Sequence, residues 1–321
     1  MLHGMNTNAL TVRCFRRTLL ILAVLLLCAA AAADRSRQSL PPKEWDKATR
    51  SVFPANPRSL LRGERPALRG AKESPAQPNP GDPAPTDQGK FAWSKIISAE
   101  TATNEIKAAR SEVAENVRNL GVFKAGGHRQ LRRQFSVLAV MFGIIAEYDQ
   151  AIRWKQNAPG ARVAFAKAAT NSKAADDNTF NEAKTRSQNL DDLVQGGSAE
   201  FPTPPASDVS WPGVAERRQL MLRLDVAFEK RLRPAVADAA QLTKNRDQSL
   251  HEAEMIAALA EVIGREGYES ADDAEYQKHA KELKQWALAA AAAVRNNNVG
   301  EAQRAVGMMG KACSECHGAF K

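Results

Sequence analysis

The sequence predicts an all-α fold, arranged as two tandem antiparallel four-helix bundles. Three observations carry this. Aromatic residues make up only 6% of the 321, while alanine runs are frequent. That balance favours helices packed through small and aliphatic side chains over a β design. Beyond residue 98, apolar residues recur three and four apart, the period of a helix face. Pro- and Gly-rich stretches then divide the chain into two segments of about domain size.

The chain opens with a basic stretch, MLHGMNTNALTVRCFRR, then an apolar run from Thr18 to Ala33 ending in small residues. This is the pattern of a secretory signal peptide over 1–33, cleaved after Ala33. The rival is an uncleaved anchor, for which the run is slightly short. A lipoprotein site at Cys28 is disfavoured by bulky Leu27 before it. Arg16–Arg17 lacks the surroundings of a twin-arginine signal. The expected location is periplasmic, with membrane contact only through this signal or anchor segment. Cleavage removes Arg13, Arg16 and Arg17 and no acids, so the formal charge of +9 falls by three to +6. A surface so diffusely basic does not imply nucleic acid. It is compatible with an acidic redox partner.

Residues 34–90 include "SPAQPNPGDPAPTDQG" and read as a disordered, Pro-rich tether. The first helical segment spans 91–195. Ser98 opens its first helix, and a second runs through "RQLRRQFSVLAVMFGIIAEYDQAIRW", with Phe135, Leu138, Phe142, Ile145 and Tyr148 on one stripe. "ARVAFAKAA" and "FNEAKTRSQNLDDLV" supply two more. A linker over 196–213 follows. The second segment, 214–321, repeats the plan. Its first helix carries Met221, Leu224, Phe228 and Leu232 on one side. The second opens at a Ser249-x-x-Glu252 capping box. The third bears Tyr276, Leu283, Trp286, Ala290 and Val294. The fourth opens at Asn298-x-x-Glu301 and carries Val306, Met309, Cys313 and His317. "LAVMFGIIAEY" from Leu138 and "IAALAEVIGRE" from Ile256 look alike in place and pattern, as a duplication would leave them.

Beyond the signal, the only cysteines are Cys313 and Cys316, followed at once by His317. Chance placement would give such a triplet on the order of once in ten thousand chains. Cys-x-x-Cys-His is the attachment pattern of c-type haem: two thiols add across two vinyl groups and the next residue supplies imidazole to the iron. On a helix, Cys313 and His317 share a face and Cys316 is their neighbour. Two other chemistries use such cysteines. A thiol redox pair normally sits at a helix start after a strand, and no strand is evident. A zinc site needs a fourth ligand that the chain has little to offer. The cofactor expected is one covalently bound haem c.

A bundle with this motif in its closing helix resembles the cytochrome c-prime family, the four-helix-bundle class of c-type cytochromes. The resemblance rests on "VGMMGKACSECHGAFK" and covers roughly 214–321. The 91–195 segment resembles a haem-less copy, having no Cys at all. The family's first helix carries an Arg-Gln pair, then a bulky apolar residue three after the Gln that covers the distal haem face. Arg218-Gln219 followed by Leu222 matches this. The resemblance further implies a haem-propionate role for Arg218 and a proximal basic residue at Lys321, where the family usually has Arg.

What faces His317 across the haem sets the function. Leu222 over the iron gives a five-coordinate site, linked in that family to binding NO or CO. Met221 gives six-coordinate Met/His ligation suited to one-electron transfer. His279, on the apolar stripe of its helix, is a further candidate ligand. His251 and His128 read as exposed, the latter in the loop "AGGHRQ". Trp154 and the cluster Arg129, Arg132 and Arg133 are candidate surface contacts. Gly307 and Gly310 would permit close approach to the last helix.

The sequence therefore predicts an exported c-type cytochrome that binds a diatomic gas, carries one electron, or both. Its partner would be a small redox protein or the gas itself, and a homodimer is compatible. No acid/base pair or nucleophile constellation predicts enzymatic turnover. A docking protein with a mainly structural haem is the reading from another class.

Overall fold

The computed structural model describes residues 91–203 and 210–320, and every regular element among them is helical. The expectations for the signal over 1–33, the tether over 34–90 and Lys321 lie outside the described residues. No helix among the described residues is long and apolar enough to cross a membrane.

Helix α1, Ala99–Asn116, starts where the sequence predicts because Ser98 caps it. The Ser98 Oγ accepts the Thr101 amide at 3.1 Å and satisfies one of the helix's unpaired donors. The chain then turns through Phe123–Gly127, where Gly126 has φ 134°, a conformation only glycine adopts cheaply. Helix α2 is His128–Glu147. His128 opens this helix and is buried, its Nδ1 3.0 Å from the Phe123 carbonyl, which corrects the exposed-loop expectation. The apolar pattern predicted a helix running on to Trp154, but α2 ends seven residues earlier. Tyr148 turns extended and donates its hydroxyl to the Ile97 carbonyl at 2.8 Å. Asp149 accepts the Ser94 amide at 2.8 Å. Tertiary hydrogen bonds win over the residual helical period there. Helices α3, Ala158–Asn171, and α4, Asp177–Gln195, fall where predicted.

Helix α5, Arg217–Asp225, continues through a widened π-type segment, Val226–Leu232, to Ala235. After α6, Ala239–Lys244, comes α7, Arg246–Ile263. Ser249 does not cap α7. It is buried inside the first turns, and its Oγ donates to the Asn245 carbonyl at 2.8 Å, the back-bonding that serine adopts inside helices. Helix α8, Ala274–Arg295, is capped by Asp273. Helix α9, Val299–Ala319, is capped by Asn298, which accepts the Glu301 amide at 3.2 Å as the sequence predicts.

Helices α1 and α3 each pack against both α2 and α4, while α7 packs on the π segment and α8, and α8 on α9. Two helices are buried on every side. In α2 each residue from Gln134 to Ile145 is buried, and in α7 each from Glu252 to Ala260. These are the two stretches that look alike in the sequence. Burial all round marks a helix at the centre of a larger body rather than at a bundle's edge.

The described residues form one compact unit, in which the 91–195 and 214–320 segments share a core. Helix α2 packs on α5, and α1 on α7. Polar contacts cross the same boundary. Buried Glu254 accepts the Ser98 amide at 3.0 Å and its hydroxyl at 2.6 Å, and Arg132 pairs with Glu216. The stretch read as a linker contributes buried Ala199 and Trp211, the latter stacked edge-on to Trp93 at 5.8 Å.

Candidate functional site

The register of α9 is fixed by Ala302, Ala305, Val306, Met309 and Ala312, which are buried against the neighbouring helices. With those inward, Cys313, Cys316 and His317 all line one cavity of about 250 Å³ formed with α5, its π segment, α7 and α8. The cysteines are half-buried free thiols, and His317 is exposed at the rim. The walls are mostly apolar, from Leu224, Phe228, Ile256, Ile263 and Leu283. The π segment places both Phe228 and Glu229 on the wall, and such widened turns recur at functional sites. Gly310 earns its place by the close approach predicted for it. A Cβ there would lie 3.1 Å from Arg233 Nη2 and 3.3 Å from Phe228 Cζ, whereas at Gly307 it would meet open space.

The surroundings of both thiols disfavour the thiolate form. Burial, with Cys316 beside it, pushes the Cys313 thiol up to about 11. Burial raises Cys316 as well, with Arg217 pulling the other way. A disulfide-exchange cysteine works as a thiolate and needs the opposite shift. Nor do Cys313, Cys316 and His317 gather their donor atoms as a zinc site. Among the described residues, the group within metal-ligand range is His279, Glu282 and Glu315.

Met221 lines the same cavity from α5. Leu222 does not: its side chain is 43% exposed, because Leu220 and Leu224 take the buried face of α5 and rotate Leu222 outward. The expected distal cover at Leu222 is corrected on this ground. Arg218 is likewise exposed and away from the cavity. The basic groups nearest it are Arg233, which lies 4.6 Å over the Phe228 ring and bonds Glu229 at 2.7 Å, and Arg217, 5.6 Å from the Tyr276 ring. Sequence reading passed over both. Arg217 stands one residue from the matched Arg218, and Arg233 follows the π segment, which no sequence pattern announced.

His279 is 6% exposed and lines the cavity, and its Nδ1 has no hydrogen-bond partner. His251 is not a free surface histidine. Its Nε2 lies 2.8 Å from Glu105 Oε2 on α1. Trp154 is half-buried and donates its indole N–H to the Leu193 carbonyl at 3.0 Å.

No family model, no curated protein and no solved structure matches this chain.

Proposed function

We propose that the chain is an exported c-type cytochrome that carries one electron on a single haem c. In this reading α5, α7, α8 and α9 form the haem-holding four-helix bundle. Helices α1–α4 form a haem-less bundle joined to it. The observation that carries the reading is the convergence of Cys313, Cys316 and His317 on one largely apolar cavity that Met221 also lines.

The cavity is near the lower end of ordinary ligand clefts, roughly 300–1,000 Å³. Its rim at Ser314, His317 and Glu229 is partly exposed, which would leave one edge of a flat macrocycle in solvent. The donor set also suits haem c: two thiols for the covalent links and an imidazole for the iron. When bound, the haem supplies a one-electron couple, and Met/His ligation raises its potential. Cys313 and Cys316 would anchor the group through their sulfurs, and His317 would supply imidazole to the iron. Met221, on the same cavity, would supply a thioether ligand. Leu224, Phe228, Ile256 and Leu283 exclude water. Arg217 and Arg233 supply positive charge for the propionates in place of Arg218.

Spectra of the haem-matured protein test this. The ferrous protein is expected to be low-spin and inert to CO. Met221→Ala is expected to turn it high-spin and CO-reactive. Leu222→Ala is expected to leave the spectrum unchanged and stability within about 0.5 kcal/mol, as for other exposed positions. A wild-type protein that binds CO at once, unaffected by Met221→Ala, would sink the electron-carrier reading and restore gas binding.

A further inference from the structure

A second donor cluster lies on the seam between α8 and α9. His279 and Glu282 stand three apart on one face of α8, where helix neighbours meet. Glu315 comes from α9, in the interval between the two cysteines. The donor atoms of all three lie within 4.8 Å of one another. We infer that His279, Glu282 and Glu315 form a binding site for a divalent first-row transition ion that ties α8 to the motif-bearing helix.

The unpartnered imidazole carries the inference. His279 is 94% buried, and its Nδ1 makes no hydrogen bond. A buried polar nitrogen without a partner costs stability unless something satisfies it. Nδ1 lies 3.7 Å from Glu282 Oε2, too far for a hydrogen bond and suited to sharing an ion. The other ring nitrogen, Nε2, faces Glu275 Oε1 at 3.8 Å. Metal-bound histidines commonly turn their second nitrogen toward a carboxylate, which fixes the tautomer. Glu275, four residues before His279 on α8, is the carboxylate positioned to close on Nε2 in that way. Ligand bonds of about 2.0–2.2 Å in tetrahedral geometry bring donors to about 3.4 Å of each other. The carboxylates can close that gap, since the Glu315 and Glu282 side chains are 45% and 33% exposed. The nearest competing cation is Lys311, whose Nζ lies 3.7 Å from Glu315. One nitrogen and two carboxylates suit zinc, manganese or iron(II) better than calcium, which prefers an all-oxygen shell.

The site uses none of Cys313, Cys316 and His317 as ligands, although His279 also borders the cavity that they line. Calorimetric titration of Zn²⁺ into the full chain tests it, with Cys313→Ala/Cys316→Ala titrated in parallel. One zinc per chain is expected in both, with a rise in melting temperature. Glu282→Gln and Glu315→Gln, each at a position exposed enough to fold, are each expected to weaken binding at least tenfold. Lys311→Ala is expected to tighten it. Three outcomes would overturn the site. They are no binding at millimolar zinc, binding indifferent to both glutamate variants, and binding lost with the cysteines alone.

Discussion

Replacing Cys313 and Cys316 together by alanine is expected to abolish covalently retained haem. Thioether links survive denaturation and acid extraction, whereas a haem held only by ligation and packing washes out. The wild-type chain, matured by a haem-attachment system, is therefore expected to keep its Soret band through extraction. The double variant is expected to lose it completely. Each single variant keeps one link and an intermediate retention. His317→Ala keeps the covalent group and changes only the axial ligation. The comparison is clean because the cysteines are only half-buried, so their truncation costs about 1 kcal/mol each and leaves the helical circular dichroism intact. A folded wild-type chain with no band after maturation would overturn the haem proposal. Resistance of both thiols to alkylation in that chain would then point to a disulfide.

The attachment motif was legible because it is local. Three residues within five positions of one helix need only the helix for their relative placement. The caps at Ser98 and Asn298 were legible for the same reason, since each is completed within three residues. Legibility failed where the deciding partner sits far away in the chain. Met221 and Leu222 differ by one residue, about 100° of rotation, and the period alone does not choose between them. The choice is made by where α5 packs on α2 and α7, which turns Leu220 and Leu224 inward. His251 looked exposed because its partner, Glu105, is 146 residues earlier.

The boundary between the segments shows the same limit. Pro and Gly over 196–213 read as a linker, but composition says nothing of what lies across it. Charged residues mislead further, because a helical pattern assigns them to solvent. Glu105, Arg223, Glu252 and Glu254 are all buried. They are where α1 meets α5 and α7, and they replace the expected gap between two domains with a shared interior.

Arg223→Ala is expected to cost about 3–5 kcal/mol, the range for removing one partner of a buried ion pair. Arg223 grips Glu105 through Nε at 2.7 Å and Nη2 at 3.0 Å, and Glu252 through Nη1 at 2.7 Å. Arg231 also holds Glu252, at 2.6 Å. Arg223→Lys is expected to recover little, since one ammonium cannot reproduce a fork aimed at two carboxylates. Glu105→Gln/Arg223→Met is expected to be milder than Arg223→Ala, because it removes the Glu105 charge and leaves only Glu252, which Arg231 still holds. The same cluster sets the acid response. Burial alone would raise Glu105, but Arg223 and His251 outweigh it and hold the carboxyl well below the usual range. A depressed folded-state value contributes stability fully above the unfolded value of about 4.5 and loses it as pH falls toward the folded one. Urea midpoints are therefore expected to drop steadily below about pH 4.5 in the wild type. In Arg223→Ala they start lower and fall less steeply, because Glu105 has lost its main stabilising charge. A loss under about 1 kcal/mol for Arg223→Ala, no more than an exposed ion pair is worth, would show that the cluster does not join the segments.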